Sequence, residues 1–357
     1  MLLTLVSEQI KQGLEPMILS AGDLDIRQKP IETEAEKLGL PLIKWRMTPG
    51  LNHSEIRKIC KWADDWGVEL VHSHGYKFNI LMCLFGCFSR RVPLVSTVHG
   101  YVHAPRFSRM WIYELLDRFS LKWVNSVVIV GEAMKRQLSL GTNRSRHLTT
   151  IRNGLALDET LCKANEPLPD NLKEFIDRHD PVILGVGRLS KEKGFDHLIN
   201  CFQELKQLFP QAGLLIVGEG QVREDLEERI GQHGLEEDIF LPGYCDNVPA
   251  LMIRSSILVI SSLTEGLPIS LLEAMAVRLP IVSTSVGEIP YVLDGGSNGV
   301  LVIDPAKDLF KAIKITLSER ELARQRTERA YQKVSNELSA KTMAQEYQRV
   351  YRRVISS

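Results

Sequence analysis

The segment Ile257–Val277 (ILVISSLTEGLPISLLEAMAV) carries the pattern that decides the fold. Its first four residues, Ile257–Ile260, are all apolar and predict a short strand in a buried parallel sheet. After the turn Glu265–Pro268, apolar residues recur at helical spacing. A strand that passes through such a turn into a helix brings backbone N–H groups and the positive end of the helix to the carboxyl edge of the sheet. The segment therefore predicts a site for an anionic ligand.

Two carboxylates flank the predicted site, Glu265 in the turn and Glu273 eight residues later. They would repel a phosphate unless they accept hydrogen bonds from hydroxyl groups. The pattern thus favours a ligand with both phosphate and hydroxyls, such as a sugar nucleotide. An isolated pair with this spacing would ordinarily be a turn residue and a solvated helix face, but the turn and the motifs below favour the site.

Length and composition indicate a globular protein of two domains. The chain has 357 residues, 44% hydrophobic and 25% charged, with a net charge of zero. Residues 1–165 hold 22 basic against 16 acidic residues, a net of +6, so residues 166–357 carry −6. The basic half indicates an anionic partner, which would be either an acceptor or a membrane surface. The alternative is that these charges are solvated surface without a partner.

Cysteine usage and hydropathy predict a cytoplasmic protein. The six cysteines show neither C-x-x-C pairs nor zinc spacing, as is usual for thiols in a reducing compartment. The N-terminal sequence does not have the pattern of a signal peptide, and the longest apolar run is too short to span a bilayer.

In the first half, strands and helices alternate, which predicts a parallel sheet. His74 and His99 each follow a predicted strand, at the edge where ligands bind. The segment Arg106–Trp123 is amphipathic and basic. It predicts either an interfacial helix that binds anionic lipid or a core-packed helix with a basic outer face. The second is favoured because the sheet needs an apolar cover.

The second half repeats the alternation from residue 182 onward, after a polar linker and helix at 159–179. The strand Val182–Val186 leads into the loop Gly187–Gly194, where Arg188 and Lys193 supply positive charge. Gly185 and Gly187 are predicted to let a ligand approach the backbone. Gly218-Glu219-Gly220 lacks the third glycine and the acid of a dinucleotide fingerprint, so NAD is rejected. Two further helices are predicted at 307–334 and 340–355.

Four motifs occur in order: Thr97-Val98-His99-Gly100, Asn153-Gly154, Gly187–Gly194 and Glu265–Glu273. Together they resemble the retaining GT-B glycosyltransferases of family 4 (group 1). The resemblance implies an α/β fold with two facing Rossmann-like domains, parallel sheets and a cleft between them. It places an acceptor-side domain at 1–158, a donor-binding domain at 159–339 and a returning helix at 340–357. Relative to the family, the usual first strand and its glycine-rich loop are not found, so the acceptor-side domain reads as N-terminally truncated.

The resemblance also implies roles for individual residues. His99 would touch the donor sugar near the transferring carbon, Glu265 would hold a hydroxyl of that sugar, and Arg188 and Lys193 would neutralise the departing diphosphate. Glu273 would hold the ribose. The remaining donor contacts would come from Gly187, Tyr244 (near the base), Gly266, Leu267 and Ile269.

The implied activity is retaining, metal-independent transfer from a nucleotide sugar, such as a UDP- or GDP-sugar, to a saccharide or lipid-linked acceptor in polysaccharide or cell-envelope glycan synthesis. No cofactor and no nucleic acid are expected. The basic first half and the amphipathic segment Arg106–Trp123 allow peripheral contact with an anionic membrane. The sequence Asp23-Leu24-Asp25 has the spacing of a metal-binding D-x-D motif but is interpreted as a loop turn. Two alternatives stay open: a donor-binding module with little or no activity, and a sugar-nucleotide epimerase of similar architecture.

Overall fold

The computed structural model describes residues 1–48, 50, 52–84, 92–99, 107–132, 134–138 and 148–356. Gly100 and Arg106, which belong to the predicted motifs, lie outside these residues. The chain divides into a first unit, Met1–Gly154 with Ala340–Ser357, and a second unit, Leu155–Ser339. The sequence placed the first of these boundaries at 158/159.

The first unit contains two parallel sheets within the described residues. Strands β1 and β2 pair with each other, and β3 to β6 form a sheet in chain order. The strands are β1 Ile18–Asp23, β2 Leu42–Met47, β3 Val71–Ser73, β4 Leu94–Val98, β5 Ser126–Ile129 and β6 Leu148–Thr150. The helices are α1 Leu2–Lys11, α2 Pro30–Lys37, α3 His53–Asp65, α4 Tyr76–Leu84, α5 Arg109–Ser120 and α6 Met134–Gln137.

The second unit is a six-stranded parallel sheet in the order β12-β11-β10-β7-β8-β9. Its strands are β7 Val182–Val186, β8 Gly213–Val217, β9 Ile239–Gly243, β10 Ile257–Ile260, β11 Ile281–Thr284 and β12 Val300–Val302. Its helices are α7 Leu157–Ala164, α8 Asp170–Arg178, α9 Phe195–Leu208, α10 Arg223–His233, α11 Val248–Met252, α12 Ile269–Ala276, α13 Ile289–Val292, α14 Pro305–Ser318 and α15 Arg320–Asn336.

Both faces of the second sheet are buried. Along β10, Ile257 and Val259 pack into one apolar cluster, whereas Leu258 and Ile260 pack into another. Because successive side chains of a strand point to opposite faces, a strand covered on both sides must be apolar throughout. This explains the unbroken apolar run from which the strand was predicted.

The last helix, α16 Ala340–Ile355, completes the core of the first unit. Tyr347 and Val350 are buried in a cluster with Val95 of β4 and Val128 of β5. The described helices include none that is long and apolar enough to cross a bilayer.

Three local predictions need correction. Segment 159–179 is not a linker with one helix, since it contains most of α7, which begins at Leu157, and all of α8. The helix predicted at 307–334 is two helices, because Glu319 leaves the helical conformation (φ −97°, ψ 65°). The outer face of α5 is not simply basic, since the apolar Ile112, Leu115 and Phe119 are exposed along it and Arg109 lies exposed near its start.

Candidate functional site

The loops after β7 and β10 meet at the carboxyl edge of the second sheet, where these strands are neighbours. Lys193 Nζ lies 2.5 Å from Oε1 of Glu265, and both side chains are largely buried. Ser262 Oγ donates to the same oxygen at 2.7 Å. Within the fully described second unit, Glu265 Oε2 has no hydrogen-bond partner. This oxygen is therefore left to accept a hydrogen bond from a ligand hydroxyl.

Further hydrogen bonds fix the two loops to each other. Ser261 Oγ donates to the backbone carbonyl of Lys193 at 2.9 Å, and the Leu263 N–H donates to the carbonyl of Glu192 at 2.8 Å. Gly194, at φ +62°, lies so close that a Cβ there would come within 2.4 Å of the Ser261 carbonyl oxygen. The Lys193–Glu265 pair is thus held by the backbone of both loops.

The turn after β11 supports the Glu265 loop from the other side. Gly287 has φ +58°, and a Cβ there would lie 2.1 Å from the Glu265 carbonyl oxygen. The next residue, Glu288, donates its N–H to the Gly266 carbonyl at 3.0 Å. Ser262 and Gly287 were not identified from the sequence. A glycine just after a strand was the available signal for Gly287, but its partner lies in another loop.

Arg188 lies on the same loop as Lys193 but its side chain points to solvent. Its Nη2 is 2.7 Å from Glu192 Oε1. The pKa of Glu192 is held at about 2 by hydrogen bonds from its own backbone N–H, from Ser190 and from Arg188. Arg188 is therefore a long, solvent-exposed cation on this loop, whereas Lys193 is a buried cation held in place by Glu265.

The two glycines of this loop region do different things. A Cβ on Gly187 would lie 3.2 Å from Lys193 Cε, so Gly187 makes room for the lysine. A Cβ on Gly185 would lie 3.1 Å from the Phe195 ring, so Gly185 allows the strand and helix to pack closely. The predicted role of Gly185 in the approach of a ligand is therefore replaced by a packing role.

Glu273 lies on α12, the helix that follows the Glu265 loop. Burial raises the pKa of Glu273, and the nearby ammonium of Lys163 opposes that shift only in part. The helix begins at Ile269 after Pro268, without a side-chain cap. Its N-terminal N–H groups therefore lie at the same edge as Glu265. Gly266 and Ile269 are exposed there and Leu267 is half-buried.

Tyr244 follows β9 and is 76% exposed. Since β9 is separated from β10 by β7 and β8, Tyr244 is at the far part of the same edge. The second unit thus brings Lys193 and Glu265 into contact, with Arg188 and Glu273 on the adjoining loop and helix.

His99 belongs to the first unit, at the end of β4, in a row of three imidazoles. His74 Nδ1 is 3.3 Å from His99 Nε2, and His74 Nε2 is 3.2 Å from His72 Nδ1. His72 contacts Tyr351 Oη at 2.6 Å and Thr97 Oγ1 at 2.8 Å. Burial and the neighbouring His99 lower the pKa of His72 to about 3. His74 therefore connects His99 to His72, which in turn contacts Tyr351 of helix α16.

The prediction that Asp23-Leu24-Asp25 is a loop turn is only partly right. Asp23 is the last residue of β1, and the turn begins at Leu24. The residues described contain no group of three or more His, Cys, Asp or Glu side chains arranged to hold a metal ion.

Comparisons with known proteins agree with this architecture. Residues 1–159 match the family described as Glycosyltransferase Family 4, and residues 170–333 match Glycosyl transferases group 1. An uncharacterized glycosyltransferase of Methanocaldococcus jannaschii is 29% identical over 48% of this chain and 42% of its own length. The alpha-D-kanosaminyltransferase of Streptomyces kanamyceticus is 27% identical over 67% of this chain and 65% of its own. The chain thus spans less than two thirds of the length of these curated relatives.

Among solved structures, Anabaena HepE in complex with UDP has a TM-score of 0.81 at 18% identity, over 98% of this chain and 96% of that one. This likeness confirms the predicted fold class, α/β with Rossmann-like parallel sheets of the GT-B type. Since one glycosyltransferase family matches each half, the chain belongs to the family 4, group 1 glycosyltransferases.

Proposed function

We propose that the protein transfers a hexose-type sugar from a nucleotide sugar to a hydroxyl of a saccharide or lipid-linked acceptor, with retention of anomeric configuration. The observation that supports it most is the buried Lys193–Glu265 pair, in which both Lys193 and Ser262 contact Oε1 of Glu265 and Oε2 has no hydrogen-bond partner from the second unit. Family membership supports a nucleotide-sugar donor, and the UDP bound to Anabaena HepE supports a uridine nucleotide. A role in polysaccharide or cell-envelope glycan synthesis, at the cytoplasmic face of an anionic membrane, forms part of the proposal.

Each residue of the site has a chemical task in this proposal. Lys193, Arg188 and the N-terminus of α12 stabilise the negative charge that grows on the diphosphate as its bond to the anomeric carbon breaks. Glu265 accepts a hydrogen bond from a hydroxyl of the sugar, and Glu273 accepts from the ribose. The acceptor oxygen bonds to the anomeric carbon from the face that the diphosphate leaves, and its proton passes to the leaving phosphate oxygen. No protein nucleophile is assigned.

In this scheme the cationic side chains do the work for which other transferases use a divalent metal. Activity should then be unchanged when EDTA is added. A loss of activity that Mg²⁺ or Mn²⁺ restores would contradict metal independence but would leave the rest of the proposal standing.

Substitution of the cations tests the core of the proposal. Lys193→Ala and Arg188→Ala should each lower turnover by about a hundredfold, because the leaving diphosphate loses a charge partner. Lys191→Ala, in the same loop but exposed and outside the site, is the matched control and should retain activity. Activity would be read by mass spectrometry in a screen of UDP- and GDP-sugars with saccharide acceptors. Near-normal turnover in both variants would overturn the assignment.

The same screen separates the two alternatives from sugar transfer. Calorimetric donor binding without turnover would indicate a binding module. A new sugar nucleotide formed from donor alone would indicate an epimerase. The anomeric configuration of the product, read by NMR, tests retention.

A further inference from the structure

Helix α5 turns its polar side inward. Glu114, Asp117 and Ser120, three residues apart, are all buried. Asn79 Nδ2 of α4 donates to Asp117 Oδ1 at 3.0 Å, and Ser96 Oγ of β4 donates to Asn79 Oδ1 at 2.8 Å. Because this buried network fixes the rotation of α5, the helix cannot turn its other side inward without leaving these polar groups unsatisfied.

The outward side of α5 is apolar. Ile112, Leu115 and Phe119 are 47%, 50% and 48% exposed, and their spacing of three and four residues puts them on one face. Trp123, in the short 3-10 helix Leu121–Trp123 that directly follows α5, is also exposed and extends this stripe, with its ring 4.8 Å from that of Phe119. We call these four residues the α5 stripe. Scattered exposed apolar residues are ordinary, but a continuous stripe marks an interaction surface.

The exposed charged residues of the described segment 107–123 are all basic. The acids of the helix, Glu114 and Asp117, are buried, whereas Arg109 and Lys122 are exposed. Lys122 Nζ lies 4.8 Å above the Phe119 ring. Apolar and aromatic side chains bordered by cations fit the boundary between acyl chains and anionic headgroups. A two-fold contact between copies would instead bring these cations near each other.

We propose that the α5 stripe lies in the interface of a bilayer that contains anionic lipids, with Arg109 and Lys122 at the level of the headgroups. The basic excess of residues 1–165 adds a longer-range attraction to such a surface. The inference specifies the membrane contact in the proposed function. Because its test uses no sugar donor, it can fail while the transferase assignment holds.

The full chain would be floated with vesicles of phosphatidylcholine alone and of phosphatidylcholine with about one third phosphatidylglycerol. We expect binding to the anionic vesicles, weakened at least tenfold as NaCl rises from roughly 0.05 to 0.5 M. Leu115→Glu with Phe119→Glu should lower partitioning about a hundredfold, since each side chain removed from the interface is worth about tenfold. Both positions are exposed, so the fold should survive, as circular dichroism would verify.

Leu208→Glu is the matched control, because Leu208 is an equally exposed leucine (48%) at the end of α9 in the second unit. It should bind vesicles like the unaltered chain. Absence of binding to anionic vesicles, or equal loss in the control, would overturn the proposal. A dimer in ultracentrifugation that the Leu115→Glu, Phe119→Glu variant abolishes would assign the stripe to a second copy instead.

Discussion

At the residue scale, Glu265 and Glu273 have the same side chain but opposite surroundings. Glu265 is held by Lys193 and Ser262 through one oxygen. Glu273 is half-buried and its pKa is raised by burial, with Lys163 giving only partial relief. Glu273 therefore takes up a proton at a higher pH than an ordinary glutamate does.

Donor binding should depend on the ionisation of Glu273. Its raised pKa means that the carboxylate is protonated, and loses its capacity to accept from two ribose hydroxyls, at a higher pH than an ordinary glutamate. Affinity should fall as the pH is lowered through that raised pKa. Glu273→Gln should bind about tenfold more weakly at neutral pH and show a flatter pH profile, in calorimetric titration with UDP-sugars.

The same substitution should stabilise the fold at neutral pH, because burial in the folded chain disfavours the charged form of Glu273. This penalty on the free energy of folding begins above the ordinary glutamate pKa and is complete above the raised pKa of the folded chain. A rise in Tm with a loss of affinity is the expected signature. The exposed Glu228→Gln on α10 is the control and should change neither. Unchanged donor affinity in Glu273→Gln would remove Glu273 from the donor site.

At the element scale, the site depends on three loops packed backbone to backbone. Gly287→Ala should push the Glu265 loop away, because the new Cβ would meet the Glu265 carbonyl and φ is positive. We expect a loss of about 1–3 kcal/mol in the free energy of unfolding and at least tenfold weaker donor binding. Urea unfolding and calorimetry would measure these.

Gly231→Ala in α10 is the matched control for that substitution. The nearest atom to its Cβ would be 3.6 Å away, in ordinary contact, so this variant should be neutral or more stable. Equal behaviour of the two variants would show that the contact with Glu265 is not required.

The strands of the second unit were predictable, whereas the support of the site and the rotation of α5 were not. Val182–Val186 and Ile257–Ile260 match the observed strands because both faces are covered and every residue must be apolar. The contact of Gly287 with Glu265 joins loops 22 residues apart, and no local pattern encodes it. For α5, amphipathicity predicts two faces but not which one is inward. The buried bond between Asn79 and Asp117 decides that.

At the scale of the whole molecule, α16 is tied to the first unit by polar contacts as well as by its core residues. Tyr351 Oη accepts a hydrogen bond from Gln9 Nε2 at 3.0 Å and contacts His72. Tyr347 Oη lies 3.0 Å from Thr97 Oγ1. Since the pKa of His72 falls from its usual 6.5 to about 3, the unfolded chain binds a proton that the folded unit excludes between these values.

The first unit should therefore lose stability as the pH falls below about 6.5, by at most about 1.4 kcal/mol per pH unit from His72. His72→Asn should lower stability at pH 7.5 but reduce the acid dependence. Hydrogen exchange of the β5 amides reports on this unit alone. His233→Asn in the second unit is the control, and an unreduced acid dependence in His72→Asn would refute the assignment.

The return of α16 to the first unit has a consequence for synthesis on the ribosome. Residues 1–154 leave the ribosome while Tyr347 and Val350, which fill their core, are still to be translated. At ordinary elongation rates the delay is roughly 10 to 40 s. The second unit, whose residues 155–339 are contiguous, can close as soon as it emerges. The domain made first is thus completed last, and we expect its nascent form to leave Val95 and Val128 uncovered for that interval and to bind chaperones.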